Sequence, residues 1–487
     1  MRPPTSPAPS GPNRDLLSGP IGRTLLLFAL PTLASSALQS ASGSLNTLWV
    51  GRFLGEDALA ATANGNIVMF LLVAFVFGFG MASTIYVGQA YGRGDVEEAR
   101  RVTGTAVGAF VPVAALIAIG GWFSAPWLLG LLGTPEPVLP LALAYLRVVF
   151  LSMPAMLMFT LLTMALRGTG DSTTPLWFIG ASVVIDSGLN PLLILGVGPL
   201  PEFGIAGAGL ATAIAQYVSL AAMLAWIYAR ELPLRLRGTE LSYLVPDPAR
   251  LRTIVTKGLP MGLQMIVISS AALSMLALIN REGVDTTAAY SVVQQLWGYV
   301  QMPAMALGAA VSAMAAQAIG AGRWERVDRI ARDGVIQNLL LTGALVAVLM
   351  LLARPALTLF LGEGSPALPI ATRIVRLSTW GFIAFGVALV LFGTVRANGQ
   401  VIGPLLILAV AMYPVRLGFA LGAYGRLGTD AIWLSFPVAL VATMGLAYAL
   451  YRFGGWRHGH LLPLSSHECE QHARCARETT GALAPTA

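Results

Sequence analysis

Long apolar runs recur along almost the whole chain, broken by short polar connections. "IVMFLLVAFVFGFGMASTIYVG" (67–88) is long enough to cross a bilayer core as a helix, and "LLLTGALVAVLMLLA" (339–353) nearly so. Reading each run as one helix predicts twelve spans. They cover about 25–50, 60–90, 102–130, 140–166, 173–195, 204–229, 253–279, 287–318, 331–353, 370–395, 402–424 and 430–452.

The pattern also repeats at an offset of 228 to 229 residues. "LPTLASSALQSASG" from Leu30 aligns with "LPMGLQMIVISSAA" from Leu259, and "GQAYGRGDVEEARRV" (88–102) with "AQAIGAGRWERVDRI" (316–330). "RGTGDSTTP" (167–175) falls on "RANGQVIGP" (396–404), placing Arg167 over Arg396. The unit is therefore six helices, present twice. An even number of spans makes the two copies run the same way through the membrane, as two bundles related by an axis along its normal. Substrate and ion sites in such proteins lie near the midplane. The expected organisation is a disordered tail (1–22), a first lobe (23–229), a basic linker (230–252), a second lobe (253–453) and a C-terminal tail (454–487).

Composition agrees with an all-α membrane protein. Only 11% of the 487 residues are charged and 56% are hydrophobic, whereas a soluble domain carries roughly 25% charged residues. The 53 glycines suit helices that approach closely in lipid. The net charge of +7 does not call for nucleic acid, because the basic residues occupy alternate connections. Arg93, Arg100 and Arg101 follow helix 2, and Arg323, Arg326, Arg329 and Arg332 follow helix 8. Arg230, Arg235, Arg237, Arg250, Arg252 and Lys257 lie between helices 6 and 7. The opposite connections hold few cations, which places both termini in the cytoplasm. Helix 1 lacks a small-residue cleavage site and is expected to be retained.

The chemistry is concentrated in one residue. Of 23 acids, loops and tails take nearly all, but Asp186 falls well inside helix 5. A charged Asp at a helix centre costs roughly 2.5–3.5 kcal/mol on insertion scales, so it needs a purpose. One carboxylate ringed by neutral oxygens is a site for H⁺ or Na⁺; the alternative is a hydrogen bond that glues neighbouring helices. Asn190, four residues on, faces the same way, and Thr212 and Gln216 on helix 6 and Asn46 on helix 1 are candidate oxygen donors. Gln39, Gln216, Gln264, Gln294 and Arg416 are candidates for lining a substrate cleft. For Arg416, snorkelling to the interface or packing is the competing and favoured reading. Pro31 and Pro260 are repeat-equivalent, and each removes a helix hydrogen bond, so both are candidate hinges.

No nucleotide-binding loop and no intramembrane His is present, so neither ATP hydrolysis nor a metal or cofactor is expected to drive the chemistry. All four His and both Cys lie in the C-terminal tail, "HGHLLPLSSHECEQHARC" (458–475), whose spacings match no standard zinc pattern.

"NTLWVGRFLGEDALAA" (46–61), "GQAYGRGDVEEARR" (88–101), "ALRGTGDSTTPL" (165–176) and "LNPLLILG…GIAGAGLATAIAQ" (189–216) resemble the multidrug and toxic compound extrusion (MATE) family. The resemblance spans roughly residues 20–450. It implies a V-shaped fold of two six-helix lobes and export of amphipathic, often cationic small molecules in exchange for H⁺ or Na⁺. It also implies a bacterial plasma membrane and a protein working as a monomer. The family's first lobe typically has an Asp on helix 1, an Asn-x-x-x-Asp pair on helix 5 and a Thr on helix 6. Here Asn46 replaces the first, the pair is reversed to Asp186 and Asn190, and Thr212 matches. Some relatives carry a Glu on helix 7, where this chain offers only Gln264. A flippase for lipid-linked saccharides is the alternative; such a cleft tends to carry several cations, whereas Arg416 is nearly alone.

Overall fold

Lipid offers backbone N–H and C=O groups no water, so a spanning chain bonds to itself, here as helices. The computed structural model describes residues 16–131, 133–196 and 201–458. The segment bearing most of the His and Cys residues lies outside them. Twelve spans follow: α1 Ile21–Gly55, α2 Val68–Gly92, α3 Val96–Leu131, α4 Leu139–Gly168, α5 Thr173–Leu195, α6 Ile205–Ala229, α7 Pro248–Glu282, α8 Val284–Gly320, α9 Trp324–Leu351, α10 Ala367–Ser378 with Gly381–Arg396, α11 Ile402–Leu427 and α12 Asp430–Phe453. Large apolar side chains such as Trp177, Val184, Leu273 and Leu359 are exposed on outer faces, as a lipid-facing surface requires.

Two spans are less regular than their apolar runs suggest. α10 bends by 46° between Ser378 and Gly381. There Ser378 Oγ donates to the Trp433 carbonyl (2.8 Å) and Thr379 Oγ1 accepts from the Trp297 indole N–H (2.9 Å), so side chains hold the break. α11 contains a π-helical turn, Ala411–Leu417, around Pro414, whose missing N–H disturbs the regular ladder.

Two boundaries move. Leu16, expected in the disordered tail, is fully buried, because its apolar side chain packs beneath α1 while its carbonyl accepts from Arg326 (3.0 Å). The linker ends sooner than expected: Asp247 caps α7, its Oδ1 accepting from the amides of Arg250 and Ala249 (3.0 Å each). These donors, the Arg250 amide foremost, hold the Asp247 carboxyl below the usual carboxylate range. The linker also lies on α3 through Arg100–Glu240 (2.6 Å), and Arg250 in the first turn of α7 pairs with Glu98 of α3 (2.7 Å).

The lobes share a core at the end nearest the basic connections. One apolar core mixes Leu25, Phe28, Met81 and Ile85 of the first lobe with Leu307, Val311 and Met314 of the second. All lie in the halves of α1, α2 and α8 nearest the basic connections. At the far ends, Val50 belongs to a core of first-lobe residues and Tyr290 to one of second-lobe residues. Two six-helix bundles joined at the basic end and parted at the other make the V.

The junction is reciprocal. Gln89 on α2 donates to the Ala397 carbonyl (2.6 Å), and its repeat partner Gln317 on α8 donates to the Gly168 carbonyl (2.8 Å). Backbones touch between them. A Cβ on Gly92 would sit 2.1 Å from the Gln317 carbonyl oxygen, and one on Gly320 would sit 2.0 Å from that of Gln89. Only glycine permits this crossing. Gly92→Ala is therefore expected to pry the basic end apart. In an Ala316→Cys background with Cys469→Ser and Cys475→Ser, where the one reporter is buried in the junction, it should raise maleimide labelling severalfold. Unchanged labelling would show that the contact tolerates a methyl group.

Candidate ion and substrate site

α1 and α5 run in the same direction, and their polar residues pair at two successive turns. Ser42 Oγ donates to Asp186 Oδ2 (3.0 Å), and one turn on Asn190 Nδ2 donates to Asn46 Oδ1 (3.2 Å). The i, i+4 spacing on both helices makes this ladder possible. From α6, Thr212 Oγ1 donates to Asp186 Oδ1 (2.9 Å). Asp186 is 7% exposed and Asn190 fully buried. Among the described residues no cation pairs with this carboxylate; hydroxyls alone satisfy it. Hydroxyls donate or accept as they rotate, so the same set can hold a bare carboxylate, a protonated one or a carboxylate with a small cation. Asn190 Oδ1 is buried without a partner and adds an acceptor one turn away.

The four residues expected around an ion, Asp186, Asn190, Asn46 and Thr212, thus do come together. Ser42 was missed. Its signal was its place one turn before Asn46, but a serine in a run of "SSALQSASGS" does not stand out.

Asp186 borders a cavity of about 320 Å³ inside the first lobe, between α1, α2, α4, α5 and α6. Gln39 and Gln216 line it, and Gln216 Oε1 is buried without a partner. The other cleft candidates lie elsewhere, Arg416 packed as one of its two readings had it. Gln264 lies buried in the second lobe, donating to the Val401 carbonyl (3.1 Å) and accepting from Arg396 (2.5 Å), so a structural bridge occupies it. Gln294 is exposed on α8 and away from this cavity. Arg416 neither snorkels nor reaches the cavity: it is 7% exposed, its guanidinium 3.7 Å from the centroid of Phe436, within the aromatic packing of the second lobe. The apolar ring face supplies what the missing counter-charge does not. Arg167, read only as a repeat marker, lines the cavity. Pro31 and Pro260 both lie inside helices that continue through them. Arg147 and Arg376, matched in the repeat, differ: Arg147 sits over the Trp122 ring (5.4 Å), while Arg376 is exposed. Among the described residues no group of three or more His, Cys, Asp or Glu is placed to hold a metal.

The MatE family profile matches residues 31–192 and 260–421, one match in each lobe. The chain belongs to the MATE family. It is 35% identical to the probable multidrug resistance protein YoeA of Bacillus subtilis (strain 168), covering 89% of this chain and 94% of that one. The FAD transporter of Shewanella oneidensis is 28% identical, over 71% of this chain and 75% of its own. Among solved structures, an outward-facing multidrug resistance MATE transporter of the MOP superfamily superposes with a TM-score of 0.84 at 19% identity, covering 91% of this chain and 98% of that one. MATE proteins are membrane transporters that use ion gradients; they are not enzymes and need no cofactor.

Thr212→Val removes one donor to Asp186 while keeping the side chain's volume. A hydrogen bond to a charged group contributes about 1.5–3 kcal/mol. The variant is expected to fold, with a thermal midpoint close to wild type, but to bind the coupling cation roughly tenfold more weakly by tryptophan fluorescence titration. Unaltered cation binding would remove Thr212 from the site.

Proposed function

We propose that this MATE protein is a secondary antiporter, exporting amphipathic small organic compounds in exchange for H⁺ or Na⁺ by alternating access. The observation that carries the reading is the Asp186 carboxylate, buried in the membrane region and held only by the hydroxyls of Ser42 and Thr212. A charge so placed, with no fixed counter-ion, favours a mobile one. Asn190 and Asn46 extend the oxygen set. The relatives named for multidrug resistance support export of organic compounds.

The basic connections at the joined end face the cytoplasm by the positive-inside rule, with both termini on that side and the protein in the bacterial plasma membrane as a monomer. The parted lobes then open outward, the state in which a cation enters and a substrate leaves. Pro31 and Pro260 are the positions at which α1 and α7 flex as the lobes rock. A flippase for lipid-linked saccharides draws no support from the cavity, where Arg167 is the single cation among the lining residues.

Inverted vesicles under an imposed ΔpH or ΔpNa test the reading. A cationic dye is expected to accumulate under one gradient, and Asp186→Asn to lower accumulation to that of vesicles without a gradient. A mutant as active as wild type would reject Asp186 as the coupling group. Movement of a labelled lipid-linked glycan without any dye would favour the flippase.

A further inference from the structure

The two lobes treat one repeat-equivalent arginine differently. In the second lobe Arg396 is bonded: its Nη2 donates to Gln264 Oε1 (2.5 Å), and Gln264 also donates to the Val401 carbonyl (3.1 Å). The residue matched to Gln264 in the first lobe is Ser35. Its short side chain donates to Pro31 of its own helix (2.8 Å) and bridges nothing. A cavity of about 320 Å³ occupies the first lobe instead, with Arg167, matched to Arg396, in its wall.

Arg167 is 8% exposed, yet among the described residues its one polar contact is with the Met164 sulfur at 4.0 Å, and its Nε is buried without a partner. Asp171, the nearest acid along the chain, spends Oδ1 on the amides of Thr173 and Thr174 and forms no ion pair with it. A buried guanidinium with free donors is costly unless something completes it. Its planar fork matches a carboxylate, which it takes in two parallel hydrogen bonds. Arg167 closes α4 at the joined end of the lobes, while Asp186, also in the wall, lies mid-helix on α5. The cavity thus has a cationic end and an acidic one.

We propose that the first-lobe cavity takes amphipathic compounds that carry a carboxylate, anchored by Arg167, with any basic group directed toward Asp186. The second half of this statement rests on the antiport reading of Asp186; the carboxylate anchor does not. With Ser35 in place of a Gln, Arg167 has no bridge like that of Arg396, and Arg167 selects the charge.

The test uses a matched pair, rhodamine 110, with a free carboxyl group, and rhodamine 123, its methyl ester. Binding to the purified full-length protein in detergent, with no gradient, is followed by fluorescence anisotropy at neutral pH. Wild type is expected to bind the acid at least about tenfold more tightly than the ester, the scale of one charge-assisted hydrogen-bond pair. Arg167→Gln should bring the ratio to about one by weakening the acid alone. Arg167→Lys should keep part of the preference. Should Arg167→Gln fail to fold, Ser35→Gln serves the same end: it installs the second-lobe arrangement and should abolish the preference with Arg167 still present. No binding of the acid, equal binding of both dyes by wild type, or a preference that survives in Arg167→Gln and Ser35→Gln would overturn the proposal. Asp186→Asn is expected to keep the acid preference, so a failed coupling assay in vesicles and a failed carboxylate anchor give different results.

Discussion

In lipid a polar group has no water to fall back on, and what satisfies it, or fails to, governs its place in this protein. Backbone groups are satisfied by helices. Side chains are satisfied across helices, and those bonds determine which helices meet. Ser42 and Thr212 bring α1 and α6 to Asp186 on α5. Gln89 and Gln317 reach carbonyls of the opposite lobe. Trp297 and Ser378 hold the bend in α10. At Arg416, whose Nη1 donates to the Met412 sulfur (3.8 Å), the face of Phe436 packs against the guanidinium.

The duplication supplies the frame, and the two lobes depart from it within their interiors. Reciprocal elements such as Gln89 with Gln317 and Gly92 with Gly320 sit at the junction, where two equivalent halves must fit face to face. Unequal elements sit within the lobes. Asp186 falls opposite the α11 π-helical turn, and Ser35 opposite Gln264, so Arg396 is bridged in the second lobe while Arg167 stands in the wall of the first-lobe cavity with Asp186.

Periodic hydrophobicity and the internal repeat were enough to read twelve spans in two lobes, because in a bilayer length and apolarity leave a helix few alternatives. Asp186 was legible for the same reason: an acid inside a span is conspicuous. Asn46, Asn190 and Thr212 followed from helical spacing and from the family resemblance. Ser42 was not legible, since one serine among many gains meaning only from the carboxylate opposite.

What the sequence by itself determined is therefore the number of spans, the duplication and the buried acid, all consequences of the cost of polarity in lipid. Only the tertiary structure decided which polar side chains meet. It put Gln264 on Arg396, Arg416 on Phe436 and Arg167 in the wall of an open cavity. Those outcomes turn on distances of a few ångströms between helices far apart in the chain, and no local pattern encodes them.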